Sequence, residues 1–307
     1  MALADVRRRL PVVGSLPAAR DRSFSEADRG PAPRPAIAVW EFTLLCDHQC
    51  LHCGPRAGHA RPDELTTEEA LRLVAELAEL GVGEVALIGG EAYLRDDWTR
   101  IARAARDAGM LVSITTGGRG LTKERAQAAK DAGVQAISVS VDGLEATHDM
   151  LRGVKGSFRA ALEAIDNLKS VGLRVTANTQ IGRASLGEIE ETFDLLAERG
   201  IRAWQVQLTV AMGRAADNPD LLLEPYHLLE VMPMLGRIKK KADAKKVILW
   251  PGNNIGYFGP FESTLKGTFP RGHMASCGAG RSTLGIEANG DIKGCPSLPT
   301  SDWVGGN

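Results

Sequence analysis

The sequence predicts an α/β fold: a partial (β/α)6, TIM-like barrel that ends in a small cysteine-bearing β-hairpin. From residue 36 the chain alternates short β-rich runs with longer segments of helical period, the sequence form of βαβ units and a parallel sheet. Most of the β-rich runs are apolar enough to be covered on both faces. Six such units fit between 36 and about 245. A closed barrel of eight units takes ~250 residues, so the barrel is expected to stay open.

Residues 1–35 carry Arg, Pro, Ser and Asp without a sustained period and are expected to form a mobile tail. Strands are expected at 36–43, 84–88, 111–115, 136–141, 173–179 and 203–208. Helices are expected near 67–80, 96–108, 122–132, 156–171, 185–198 and 226–241. The first helix places Ala70, Leu71, Val74, Leu77 and Leu80 on one stripe. Thr66 with Glu69 reads as a capping box and Gly81 as a stop. After Trp250 the texture turns to Gly, Pro and Asn, which marks a boundary between a core at 36–250 and a last region at 251–307. In that region Asn289-Gly290 joins two short β arms as a hairpin turn.

Composition excludes several classes. The 307 residues hold 37 Lys and Arg against 38 Asp and Glu, a net charge of -1, so no broad cationic surface invites nucleic acid or anionic lipid. No uncharged apolar run approaches the ~20 residues that cross a bilayer. Arg7-Arg8-Arg9 has no apolar stretch behind it, so the N-terminus fails as a secretory signal and a cytoplasmic location is expected. Five cysteines without an export signal argue for reduced thiols with a chemical job.

Cys46, Cys50 and Cys53 have the spacing Cys-x3-Cys-x2-Cys directly after the first strand, where the mouth of a barrel lies. Three thiolates on one loop can hold three irons of a 4Fe-4S cube and leave the fourth open to an outside molecule. The same thiols with His48, His52 or His59 could instead make a tetrahedral Cys3His zinc site. Inert core packing is a third reading, which neighbours as polar as Asp47, His48 and Gln49 oppose.

With His52 just before the third cysteine, this stretch resembles the signature of the radical S-adenosylmethionine (SAM) superfamily, and the resemblance covers roughly residues 36–245. Gly89-Gly90-Glu91 after the second strand is similar to the family's GGE stretch, which meets the SAM amino group; the rival reading is an ordinary turn with a solvated Glu. Ala92 stands where the family often has Pro. The fourth strand, ISVSVDG, with His148-Asp149 and Arg152-Gly153 beyond it, resembles the peptide-modifying branch, and makes Ser140 and Arg152 candidates for the SAM carboxylate. Asn178 and either Gln205 or Gln207 are candidate ribose or substrate contacts. Catalytic residues are not assigned beyond the cluster ligands.

Cys277-x12-Gly290-x4-Cys295 resembles the opening of the SPASM extension, whose further cysteines complete auxiliary 4Fe-4S clusters. Those further cysteines are absent up to Asn307, which leads to the expectation of a C-terminal truncation. By itself the hairpin leaves open a disulfide or half of a metal site. The resemblance implies an enzyme that cleaves SAM to a 5′-deoxyadenosyl radical and modifies a peptide or protein, fed by a low-potential donor of flavodoxin or ferredoxin type. Its relatives also include enzymes of cofactor and tetrapyrrole synthesis. A non-catalytic, zinc-stabilised binding protein is the reading from a different class.

Overall fold

The computed structural model describes residues 34–256, 258–267 and 277–307; the tail expected over 1–35 lies, but for its last two residues, outside them. Among the described residues six strand–helix units follow one another: β1 (Ile37–Thr43) with α1 (Thr67–Glu79), β2 (Glu84–Gly89) with α2 (Trp98–Asp107), and β3 (Leu111–Thr116) with α3 (Lys123–Ala132). Then come β4 (Ala136–Ser140) with α4 (Glu145–Arg152) and α5 (Ser157–Ser170), β5 (Arg174–Ile181) with α6 (Ile189–Glu198), and β6 (Ala203–Leu208) with α7 (Arg214–Asp217) and α8 (Leu228–Ala244). The alternation read from the sequence is thus the observed architecture. Beyond it lie β7 (Ile248–Pro251), α9 (Glu262–Lys266), β8 (Thr283–Ile286), β9 (Ile292–Lys293), α10 (Thr300–Trp303) and β10 (Val304–Gly306).

The strands form one sheet in the order β10-β9-β8-β1-β2-β3-β4-β5-β6-β7. β1 to β7 run parallel, β8 joins β1 in parallel, and β9 and β10 add antiparallel pairs. The linear order leaves the barrel open, as expected. Within the barrel β7, α4 and the short α7 escaped the sequence reading, as did α9, α10 and β10 beyond it. β7 is a seventh parallel strand whose four residues include Pro251, and the texture change after Trp250 hid it. α4 is only eight residues long and stops at Gly153. The hairpin also differs in detail: Ile286 faces Ile292, and Glu287 and Asp291 close a three-residue loop in which Gly290, at φ 90°, turns the chain while Asn289 keeps a negative φ.

Alternation along the strands separates two faces. Trp40, Leu87, Ile114, Val139, Ala177 and Trp204 point to the helices and form the core with residues such as Leu77, Ile101, Ile165 and Phe193. The capping box is present: the Glu69 amide donates to Thr66 Oγ1 (3.3 Å) and the Thr66 amide to the Glu69 carboxylate (2.9 Å). Of the apolar stripe, Ala70, Val74 and Leu77 are buried, whereas Leu80 at the helix end is exposed. On the opposite face, Ser140, Asn178, Gln205 and Trp250 stand in one row across β4 to β7. None of the helices among the described residues is long and apolar enough to cross a membrane.

Candidate active site

The cysteine loop leaves the C-terminal end of β1, where a parallel barrel carries its chemistry. Its base is closed by the Cys46 amide donating to the Gly58 carbonyl (3.1 Å) and the Gly58 amide to the Leu44 carbonyl (2.8 Å). Three segments then clasp it.

The first is Gly89-Gly90-Glu91. A Cβ on Gly89 would stand 2.5 Å from the Thr43 carbonyl oxygen, and one on Gly90 would stand 2.1 Å from that of Leu45. The close approach that these glycines allow is therefore to the backbone leading into Cys46. The Glu91 carboxylate is buried, not solvated as in an ordinary turn; it accepts from the Thr116 hydroxyl and the Gly117 amide (2.6 Å) and lies 3.7 Å from His48 Nδ1. Burial pushes its pKa up, against the Thr116 hydroxyl and His48.

The end of α4 is the second. The Gln49 and Leu51 amides donate to the carbonyls of Arg152 (3.1 Å) and Leu151 (2.8 Å). Arg152, the sequence candidate for a SAM carboxylate, is nearly buried; its Nη1 donates to Cys50 Sγ (3.7 Å) and its Nη2 pairs with Asp142 Oδ2 (2.6 Å). Asp142 is fully buried, accepts from the Gln180 amide (2.8 Å) and faces His52 Nε2 (3.0 Å). Burial alone would raise the Asp142 carboxyl; Arg152 and His52 hold it far below the usual carboxylate range. The Asp142 amide donates to His148 Nδ1 (3.1 Å), and burial, reinforced by Arg152, drops the pKa of that ring to about 3, so it is neutral.

The third clasp, which the sequence reading missed, follows β6. The Arg214 amide donates to the Cys53 carbonyl (2.9 Å), and its side chain donates to the carbonyls of Cys50 (2.7 Å) and Ala57 (2.9 Å). Asn218 Nδ2 donates to the Leu51 carbonyl (3.2 Å). Arg56 forks onto Asp217 (2.6 and 2.9 Å).

The thiols fit an iron–sulfur cluster better than a lone ion. Four ligands on one zinc lie about 3.8 Å apart. Among the described residues, the group of three or more ligand atoms lying within 4.8 Å of one another is Cys46, Asp47, His48 and Glu91, so the three thiols together are not gathered tightly enough to share one zinc. Each sulfur has its own N–H donor: His48 N to Cys46 (3.4 Å), Arg152 Nη1 to Cys50, and Ala57 N to Cys53 (3.3 Å). Arg152 Nε is buried with no hydrogen-bond partner, a spare donor beside Cys50 that suits an anionic, sulfide-rich group. Burial, with Glu91 adding to it, pushes the Cys46 thiol up to about 12, and burial raises Cys50 against the pull of Arg152.

The remaining predicted residues lie apart from this loop. Asn178 Oδ1 accepts from Ser138 (3.0 Å) and Ser140 (3.3 Å) on the open face, with Gln205 beside it and Gln207 two pairs farther along. Cys277 is exposed and Cys295 half-buried, and all five cysteines are free thiols. The Gly280 amide donates to the Gly294 carbonyl (2.8 Å), which sets the segment after Cys277 beside the residue before Cys295.

An open parallel barrel with three thiols on the loop after its first strand defines a class of iron–sulfur enzyme. Residues 40–210 match the model of the radical SAM superfamily, and the chain belongs to that superfamily, whose members use a 4Fe-4S cluster and SAM. It is 36% identical over 214 residues to an AdoMet-dependent heme synthase of Methanosarcina barkeri, covering 68% of this chain and 61% of the relative. It is 33% identical over 203 residues to a PqqA peptide cyclase of Ruegeria pomeroyi, covering 66% and 54%. In structure it is similar to Streptococcus suis SuiB bound to S-adenosylmethionine, with a TM-score of 0.71 and 17% identity over 89% of this chain and 63% of that one. The chain thus spans a little over half the length of these curated relatives.

Proposed function

We propose that this radical SAM enzyme removes a hydrogen atom from a peptide or protein substrate held in the open barrel. Cys46, Cys50 and Cys53 hold the cluster in this reading, and Gly89, Gly90, Glu91, Ser140 and Asn178 border the SAM site. A 4Fe-4S cluster held by these three thiols would supply the one electron needed to cleave SAM reductively to methionine and a 5′-deoxyadenosyl radical. The protein's own part is to position the substrate and to keep water and stray hydrogen donors away. A low-potential flavodoxin or ferredoxin supplies the electron, and Cys277 and Cys295 offer two ligands toward an auxiliary cluster.

The observation that carries the peptide reading is the chemistry of the open face. Thr115, Ser138, Thr176, Asn178, Gln205 and Gln207 present neutral donors and acceptors in register across β3 to β6. Such groups match peptide amides. A substrate with several carboxylates would find no cation among them; Arg174 stands at the far, N-terminal end of β5. The identity to heme synthases favours a second reading, in which the substrate is a tetrapyrrole.

The test uses anaerobically reconstituted protein with SAM and dithionite. It is offered, in parallel, peptides encoded beside its gene and iron-coproporphyrin III. A mass change in a peptide, with 5′-deoxyadenosine above the substrate-free level, is the expected result. Conversion of the porphyrin alone overturns the peptide reading.

A further inference from the structure

The buried charges behind the cysteine loop do more than hold the fold. Asp142 lies just beyond β4, Arg152 ends α4, and Cys50 sits in the loop after β1, so three distant segments meet at one guanidinium. That guanidinium uses two edges. Nη2 is fixed on Asp142 Oδ2 (2.6 Å), and Nη1 is thereby aimed at Cys50 Sγ (3.7 Å). Asp142 itself accepts from the Gln180 amide (2.8 Å), and its Oδ2 lies 3.0 Å from His52 Nε2. Arg152 is also tied through its carbonyl, which accepts from the Gln49 amide one residue before Cys50.

We propose that Arg152 sets the reduction potential of the cluster through Cys50, with Asp142 as the positioning residue that aims it. The proposal rests on the reading of Cys50 as a cluster ligand. Hydrogen bonds to ligating sulfur, and positive charge near it, stabilise the reduced, more negative cluster. Both charges are buried, so their fields are weakly screened and act in opposite directions. Removing the cation lowers the potential; removing the anion raises it. A purely structural role has no such sign.

The experiment is a redox titration, followed by electron paramagnetic resonance, of reconstituted full-length protein without SAM. Arg152→Gln is expected to lower the reduced fraction at a fixed potential at least tenfold, ~59 mV for a one-electron couple. Asp142→Asn, whose side-chain oxygen still accepts from Nη2 and keeps the guanidinium aimed while the negative charge is gone, is expected to shift it by a similar factor the other way, and Arg152→Lys, which keeps the charge, to stay within tenfold of wild type. Unchanged potentials, shifts of the same sign in the Gln and Asn variants, or loss of the cluster from all three variants overturn the proposal. So does an Arg152→Gln protein with wild-type potential and weakened SAM binding, because Arg152 would then serve the SAM carboxylate. Failure of the wild-type chain to take up a cluster strikes instead at the ligand assignment.

Discussion

Gly90 lies against Leu45 so closely that a Cβ on the glycine would come within 2.1 Å of the Leu45 carbonyl oxygen, one residue before the first thiol. That contact couples the strand end after β2 to the cysteine loop. Gly90→Ala must push the loop away, and overpacking of this kind costs about 1–3 kcal/mol. Lower thermal stability together with less iron bound per chain is expected. Wild-type values in both measurements would contradict the contact.

Arg214→Ala removes two charge-assisted hydrogen bonds to the loop carbonyls of Cys50 and Ala57. Together these are worth about 2–3 kcal/mol at a half-exposed site. The loop should open more often, so an iron chelator is expected to strip the reconstituted variant at least tenfold faster than wild type. The comparison needs only the decay of visible absorbance.

Ser140 and Asn178 share a hydrogen bond on the open face (3.3 Å). In the proposed SAM site each contributes one polar contact. Asn178→Ala is expected to raise the SAM concentration for half-maximal cleavage about tenfold, near 1.4 kcal/mol, with maximal turnover little changed. An unchanged SAM dependence would remove Asn178 from the site.

Glu41 stands beside Lys293, Glu287 and Arg61, and burial lifts its pKa from 4.5 to about 7 despite the pull of Lys293. The folded state therefore binds this proton more tightly than the unfolded chain. Below pH 4 both states are protonated and nothing is lost; between about 4.5 and 7 the unfolded chain alone releases its proton, and stability falls as pH rises. Glu41→Gln should match wild type near pH 4 and exceed it by up to ~3 kcal/mol at pH 8 in urea unfolding. A difference that stays constant with pH would contradict the burial argument.

The barrel was legible because short β-rich runs alternate with helices of regular period, although strands read as covered on both faces keep one face polar and open, and the thiol loop was legible because cluster spacing is local in sequence. The clasp at Gly213 to Asn218 was not, since it works through carbonyls of residues more than 150 positions away. The family resemblance singled out Glu91 and Arg152 as SAM contacts, but not that Thr116 and Gly117 would take the first and Asp142 the second. One signal was there to be used: Lys293 interrupts an otherwise apolar hairpin arm, and it forms a buried ion pair with Glu287.

The central claim is that Cys46, Cys50 and Cys53 hold a cluster with one iron open to SAM. Its most direct test is 5′-deoxyadenosine formed by the anaerobically reconstituted, dithionite-reduced chain supplied with SAM, read beside the three single Cys→Ala variants. The account predicts product from wild type and none above background from any variant. Iron-loaded wild type that leaves SAM intact, or a Cys46→Ala chain that still cleaves it, would contradict it.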